Sequence, residues 1–357
     1  MPRGERVRGC ILGGAIGDAL GAPVEFDGID DLRRRFGPAG VTDYAEAYGR
    51  TGAITDDTQM TLFTAHGLIR ASARYRGKGI VSVPAMIDSA YATWLATQGE
   101  ESRRWPSTRV EPVAPFSDMR PADVAALYQR RAPGRTCLSA LRAERMGTVE
   151  EPLNDSKGCG GVMRIAPLGL AGLREPFELG CDIAAITHGH PSGYLAAGAL
   201  AELIARICDG LTLDRALDVV ERIVRRRWRH EEVLEALVAA RALAASHAAA
   251  GHETIATLGA GWVAEEALAI SVYCALIARD FAHGVLLAVN HSGDSDSTGA
   301  ITGNILGAQL GYAALPSGWL QGLELRDTID GLCRDFIVEF FDRAPDDSAA
   351  IGFSPPQ

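Results

Sequence analysis

A chain of 357 residues with 47% hydrophobic content can bury a core large enough for one big domain or two ordinary ones. Its net charge of −10 argues against a nucleic-acid-binding or anionic-membrane surface. The seven cysteines fall in no metal-finger or paired spacing and read as reduced thiols, and the opening MPRGERVRG lacks the apolar run of a signal peptide, so a cytoplasmic location is expected.

Apolar positions recur mainly at three-to-four spacing and alternating runs are scarce, which predicts an all-α fold. The spacing places helices at 6–20, 56–76, 82–97, 121–131, 136–146, 165–173, 176–187, 191–209, 213–227, 230–246, 263–278, 281–289, 298–314 and 322–342. No linker divides them, so a single domain over 1–344 is expected, with a loose tail at 345–357. Segment 98–121, rich in Pro and charge, reads as a long surface loop. The run RRRWR at 225–229 reads as a solvated helix face.

The first helix carries Gly9, Gly13, Gly17 and Gly21, and a late helix carries Gly299, Gly303, Gly307 and Gly311 at the same spacing of four. Each glycine inside a helix costs up to about 1 kcal/mol relative to alanine, so two bare ridges imply a close approach to one another or to a ligand. Asp18 interrupts the first ridge helix and Asn304 and Gln309 the second, and neither has the roughly 20 apolar residues of a membrane span.

Two acidic helix starts carry the chemistry. Thr55, Asp56 and Asp57 precede one apolar run; Asp294, Ser295, Asp296, Ser297 and Thr298 precede the second glycine ridge. Helix capping explains either loop alone, since Thr, Ser and Asp favour such starts. Together, four carboxylates and several hydroxyls are hard oxygen donors suited to a pair of divalent cations, and without cations they repel. A third stretch, DSKGCGGVMRIAP at 155–167, places Gly158, Gly160 and Gly161 before a helix, where bare amides approach a phosphate, with Lys157 able to add charge. Arg164 reads as a structural ion pair or helix-end contact, and Met163 and Ile165 as core.

In order along the chain, GCILGGAIGDALGAPVEF at 9–26, TDDTQMTL at 55–62, SKGCGGVMR at 156–164, THGHPSGY at 187–194, GWVAEEALA at 261–269 and NHSGDSDSTGAITGNILGAQLG at 290–311 resemble the ADP-ribosylglycohydrolase family. The resemblance spans nearly the whole chain. It implies a compact, orthogonal multi-helix fold around a binuclear Mg²⁺ or Mn²⁺ site that hydrolyses the bond between C1″ of the distal ribose and an acceptor. By motif match the metal ligands are Thr55, Asp56, Asp57, Asp294, Asp296 and Ser297, the last standing where many relatives carry threonine. Asp57 and Asp296 are expected to take part in catalysis with Glu25, which matches a family glutamate proposed to gate the site and assist proton transfer. Ser156, Lys157, Gly158, Cys159 and Gly160 fall in the diphosphate and ribose loop, where some relatives have asparagine at the position of Cys159.

His188 matches a histidine near the ligand in some relatives, with a structural role as its alternative. Trp262 is a candidate for stacking on adenine or for simple core packing. Asp18 is an outer partner of the metal loops or a structural hydrogen bonder, and His190 and His291 are caps or outer donors. The expected partners are ADP-ribose and ADP-ribosylated protein or small conjugates, with no nucleic acid, no membrane and a monomeric state. Arginine-linked ADP-ribose is the favoured substrate, with serine-linked ADP-ribose and free conjugates as alternatives. A binuclear phosphohydrolase and a non-catalytic ADP-ribose-binding relative are the rival readings.

Overall fold

The computed structural model describes residues 1–105, 125–246 and 249–342. Most of the loop expected at 98–121, the start of the helix expected at 121–131 and the tail at 345–357 therefore lie outside the described residues. Helices succeed one another as α1 (Arg3–Gly21), α2 (Ile29–Phe36), α3 (Asp56–Lys78), α4 (Val83–Thr97), α5 (Arg135–Arg142), α6 (Ala166–Leu170), α7 (Pro176–Ala185), α8 (Pro191–Cys208), α9 (Leu213–Val224), α10 (Glu231–Ala245), α11 (His252–Ala256), α12 (Ala264–Ile277), α13 (Phe281–Val289), α14 (Ser295–Leu310), α15 (Ser317–Gly322) and α16 (Arg326–Ile337). The expected all-α class holds. Among the described residues the strands are two-residue pieces, β1 (Glu46–Ala47) and β2 (Arg50–Thr51), paired antiparallel with Glu46 opposite Thr51. Tyr48 and Gly49 join them at φ 52° and 79°, the left-handed pair a two-residue hairpin turn demands.

Helices α1 and α14 form the axis. Every residue from Gly9 to Gly21 and from Ser295 to Ala308 is buried, as expected of helices enclosed on all sides. They run antiparallel with their glycines interlocked. A Cβ on Gly13 would lie 2.6 Å from the Gly303 carbonyl oxygen, and one on Gly9, Gly17 or Gly21 would come closer still to the backbone of Gly307, Gly299 and Ser295. Backbone thus packs directly on backbone, which is the close approach that the two ridges predict. Asn304 pins the register by donating 2.8 Å to the Cys10 carbonyl, in space that a side chain on Gly14 would occupy.

This pairing decides where the polar ends meet. Because Gly21 sits on Ser295, the end of α1 abuts the start of α14. Asp18, in the last turns of α1, accepts hydrogen bonds from the amides of Thr55 (3.0 Å) and Thr58 (3.1 Å) and from both their hydroxyls, docking the start of α3 at the same point.

Some helix boundaries differ from the periodicity because a polar group draws the chain away. The helix expected at 322–342 begins only at Arg326, as α16, with residues 323–325 outside it. Glu324 stays outside the helix to accept from Ile54 N (3.1 Å) and to pair with Arg50 (3.0 Å) and with buried Arg131, while Leu325 adopts φ 57°. The helix expected to reach residue 146 ends at Arg142, because Arg104 Nη1 bonds the carbonyls of Ala140 and Ala143 at 2.9 Å each. The arginine run at 225–229 follows α9 in the turn to α10 instead of forming a helix face. There Arg227 pairs with Glu178, and Arg229, at φ 54°, contacts His190 Nε2 at 2.8 Å. The short elements α2, α11, α15 and the hairpin have no counterpart in the periodicity. No helix among the described residues is long and apolar enough to cross a membrane.

Candidate active site

Six carboxylates converge where α1, α3 and α14 meet: Asp18, Glu25, Asp56, Asp57, Asp294 and Asp296, all buried. Oxygens of Glu25, Asp294 and Asp296 lie within 4.8 Å of one another. Both acidic loops reach this point, since after burial the charge of Asp296 is the next largest cause that raises the pKa of Asp56 and of Asp57. The starts of α3 and α14 both face the cluster, so the positive ends of two helix dipoles offset part of the repulsion.

Capping explains only part of this arrangement. Thr55 caps α3 by accepting from Asp57 N at 3.3 Å, but Asp294, at the cap position of α14, makes no side-chain capping bond. Its Oδ2 instead accepts from Cys159 Sγ at 2.7 Å. Asp57 Oδ1 and Glu25 Oε2 are buried without a hydrogen-bond partner. Burial, and then Asp296, pushes the Asp18 carboxyl up to about 7. Burial with Asp296, Asp294, Asp56 and Asp18 pushes Glu25 up to about 11. Burial and neighbouring carboxylates likewise hold Asp56, Asp57 and Asp294 well above the ordinary aspartate range. Hard, crowded oxygens with orphaned acceptor atoms are the donor set that divalent Mg²⁺ or Mn²⁺ fits.

Beneath the cluster, His291 Nε2 lies 2.9 Å from the Thr298 hydroxyl, an outer contact, and His190 caps α8 by accepting from Ser192 N. Glu25 is buried where a residue following a helix would ordinarily be solvated. The sequence left Asp18 between two roles, and it ties α1 to the first acidic loop. Thr58, the second hydroxyl of TDDT, binds the same carboxylate through its amide and its side chain.

The glycine loop runs along one side. Segment 262–264 holds it as a short antiparallel bridge, with Cys159 N donating to Trp262 O (3.2 Å) and Ala264 N to Lys157 O (2.8 Å). The Cys159 amide is thus spent within the protein, and Gly158 N points to Ser156 Oγ at 3.4 Å. Lys157 Nζ pairs with Glu232 at 2.8 Å and with Glu265, which compensate its charge in this structure. Gly160 and Gly158 leave room beside the His188 ring, whose Nε2 would lie 3.3 and 3.5 Å from side chains added there. Arg164 departs from expectation. It is fully buried and has no ion-pair partner among the described residues; Nη2 donates to Thr187 Oγ1 at 2.6 Å and the guanidinium lies 4.3 Å from the Tyr91 ring centroid.

Trp262 is not core. It is 42% exposed and stacks on Phe26, itself 72% exposed, with ring centroids 5.9 Å apart and an interplanar angle of 15°. Phe26 follows Glu25, so the pair joins the turn bearing Glu25 to the segment that holds the glycine loop. A cavity of about 550 Å³ elsewhere, lined by Leu32, Arg33, Ile255 and Leu286, includes none of the carboxylates. Convergent chemistry, not volume, marks the site.

Comparison with known proteins identifies the family and the fold. The family model for ADP-ribosylglycohydrolase matches residues 1–346. The chain is 27% identical over 328 residues to an ADP-ribosyl-[dinitrogen reductase] glycohydrolase from Rhodospirillum rubrum, covering 90% of this chain and 91% of that protein. An uncharacterised protein from Archaeoglobus fulgidus is also 27% identical, over 338 residues, covering 92% and 94% of the two chains. In three dimensions the fold matches a solved ADP-ribosylglycohydrolase-related protein complex with a TM-score of 0.65 at 24% identity, over 95% of this chain and 99% of that one. With its six motifs in order and its fold in common, the chain belongs to the ADP-ribosylglycohydrolase family, hydrolases that act on glycosyl bonds.

Proposed function

We propose that the protein is a divalent-cation-dependent hydrolase that cleaves the C1″ glycosidic bond of ADP-ribosylated side chains, arginine-linked in preference to serine-linked, and releases ADP-ribose. The observation carrying this reading is the mutual approach of Glu25, Asp294 and Asp296 within 4.8 Å beside Asp56 and Asp57. Thr55, Asp56, Asp57, Asp294, Asp296 and Ser297 would hold two cations. Cations bound there supply Lewis acidity to the distal-ribose hydroxyls and to the attacking water.

The chain's own groups do the rest. Asp18 orients Thr55 and the start of α3, so the ligand oxygens are fixed before substrate arrives. Glu25, through Oε2, which has no partner among the described residues, gives a proton to the departing acceptor and takes one back from the water whose hydroxyl joins C1″, across an oxocarbenium-like transition state. Gly158 and Gly160 admit the ligand backbone beside His188, and burial excludes bulk water from the reacting carbon.

The test is a release assay on arginine-linked and serine-linked ADP-ribose side by side, with Mg²⁺, with Mn²⁺ and with chelator, products identified by mass. ADP-ribose formed only with metal, and faster from the arginine linkage, is expected. AMP with ribose phosphate would make the protein a phosphohydrolase, and metal-independent release would remove the cations from the scheme.

A further inference from the structure

We propose that buried Arg164 acts through Thr187 to fix His188 as the tautomer protonated at Nε2, making that N–H a permanent donor aimed into the space beside the glycine loop. Arg164, Thr187 and His188 are at 0%, 0% and 2% exposure, so water does not compete for their bonds.

The argument follows the protons. A guanidinium only donates, so Thr187 Oγ1 is the acceptor of the 2.6 Å bond from Arg164 Nη2. The Thr187 hydroxyl proton then has two destinations: His188 Nδ1 at 2.8 Å or the Ala184 carbonyl at 3.4 Å. The shorter bond takes it, and Nδ1 becomes an acceptor. The ring stays neutral, because burial, and then Arg164, lowers its pKa to about 3, so its one proton sits on Nε2. That nitrogen faces the region which Gly158 and Gly160 keep free of side chains.

Thr187 is itself held in place. Asn154 Nδ2 donates to its carbonyl at 2.8 Å, and Asn154 Oδ1 accepts from Ser156 N at 3.0 Å, tying the relay to the first residues of the glycine loop. Arg164 is anchored by Met60 Sδ, Cys137 Sγ and the Tyr91 ring, contacts that leave its charge uncompensated. A purely structural arginine would be expected to pair with a carboxylate, since an unpaired buried charge is costly. Here the retained charge polarises the Thr187 hydroxyl toward His188. Arg164 and Thr187 are positioning residues; the ligand contact is the Nε2–H of His188, donated to a phosphate or hydroxyl oxygen of the ADP-ribosyl group. The last clause alone rests on the proposed function.

Two-bond ¹H–¹⁵N correlation spectra of the full-length protein read the tautomer directly, with His188 assigned from a H188N spectrum. The parent should show protonated Nε2 and bare Nδ1, unchanged between about pH 5 and pH 8. Thr187→Val keeps the shape but removes the hydroxyl; it should release the tautomer and weaken ADP-ribose binding about tenfold, the scale of one hydrogen bond to a charged group. Thr187→Ser should restore both. A parent ring protonated at Nδ1 overturns the proposal without recourse to any variant, as does a folded Thr187→Val with unaltered tautomer. Should the parent fail to bind ADP-ribose while its tautomer and the loss in Thr187→Val stand, the relay is upheld and the substrate reading falls.

Discussion

Asp296 is the residue on which the others bear. After burial, its charge is the neighbour that most raises Asp18, Glu25, Asp56, Asp57 and Asp294, so a cation beside it would relieve all five. Asp296→Asn should lower turnover about a hundredfold or more, because a ligand and not merely an outer partner is lost. In chelator its melting temperature should equal or exceed that of the parent, since a repelling charge is removed without loss of volume. A parent rate in the release assay, or a clear fall in the chelated melting temperature, contradicts the assignment. The sequence made Asp56, Asp57, Asp294 and Asp296 legible because helix starts rich in hard donors stand out. It did not reveal the pairing of Lys157 with Glu232 and Glu265, or the bond from Arg164 to Thr187, because both depend on residues remote in sequence.

Among the elements, α1 and α14 set the geometry of the site. Gly17→Ala drives a methyl group into the Gly299 backbone and should destabilise by about 1–3 kcal/mol or more, as overpacking does. Gly77→Ala, in the exposed last turns of α3 with nothing within 4 Å of the added carbon, should instead stabilise by about 0.5–1 kcal/mol. Denaturant melts of the two variants distinguish packing from helix propensity; equal shifts of the same sign would contradict the interlocked ridge. The ridges were readable from spacing alone, since four-residue periodicity puts glycines on one face. Their partner was an inference, and the structure bears it out. The late start of α16 was not readable, because apolar spacing runs from residue 322 onward and only buried Arg131 and the Ile54 amide hold Glu324 outside the helix.

At the scale of the whole molecule, cations held as proposed would couple residues 55–57 to residues 294–297 and therefore stabilise the complete core. The metal-free protein should show the converse. Asp18 is raised to about 7 from an ordinary 3.8, and Glu25 to about 11 from 4.5. A carboxyl whose folded value is raised adds stability that is present below its unfolded value and lost as pH rises through the folded one. In chelator this contribution should decline from about pH 4 upward, through about pH 7 for Asp18 and across the whole neutral range for Glu25. Added Mg²⁺ or Mn²⁺ should raise the melting temperature little at about pH 5 and progressively more toward pH 8, because protons compete with the metal for the carboxylates and binding must release them to solvent. A metal-induced shift that does not change with pH would count against the cluster as the cation site.

The sequence by itself determined the helical class, the two bare ridges, the acidic helix starts and the family, because periodicity, glycine spacing and ordered motifs are local properties of the chain. Only the tertiary structure decided that Asp18 clasps the start of α3, that Glu25 is buried over the cluster, that Trp262 pairs with Phe26, and that Lys157 is neutralised. Those facts come from contacts between residues tens to hundreds of positions apart. Such contacts exist only once backbone has met backbone along α1 and α14.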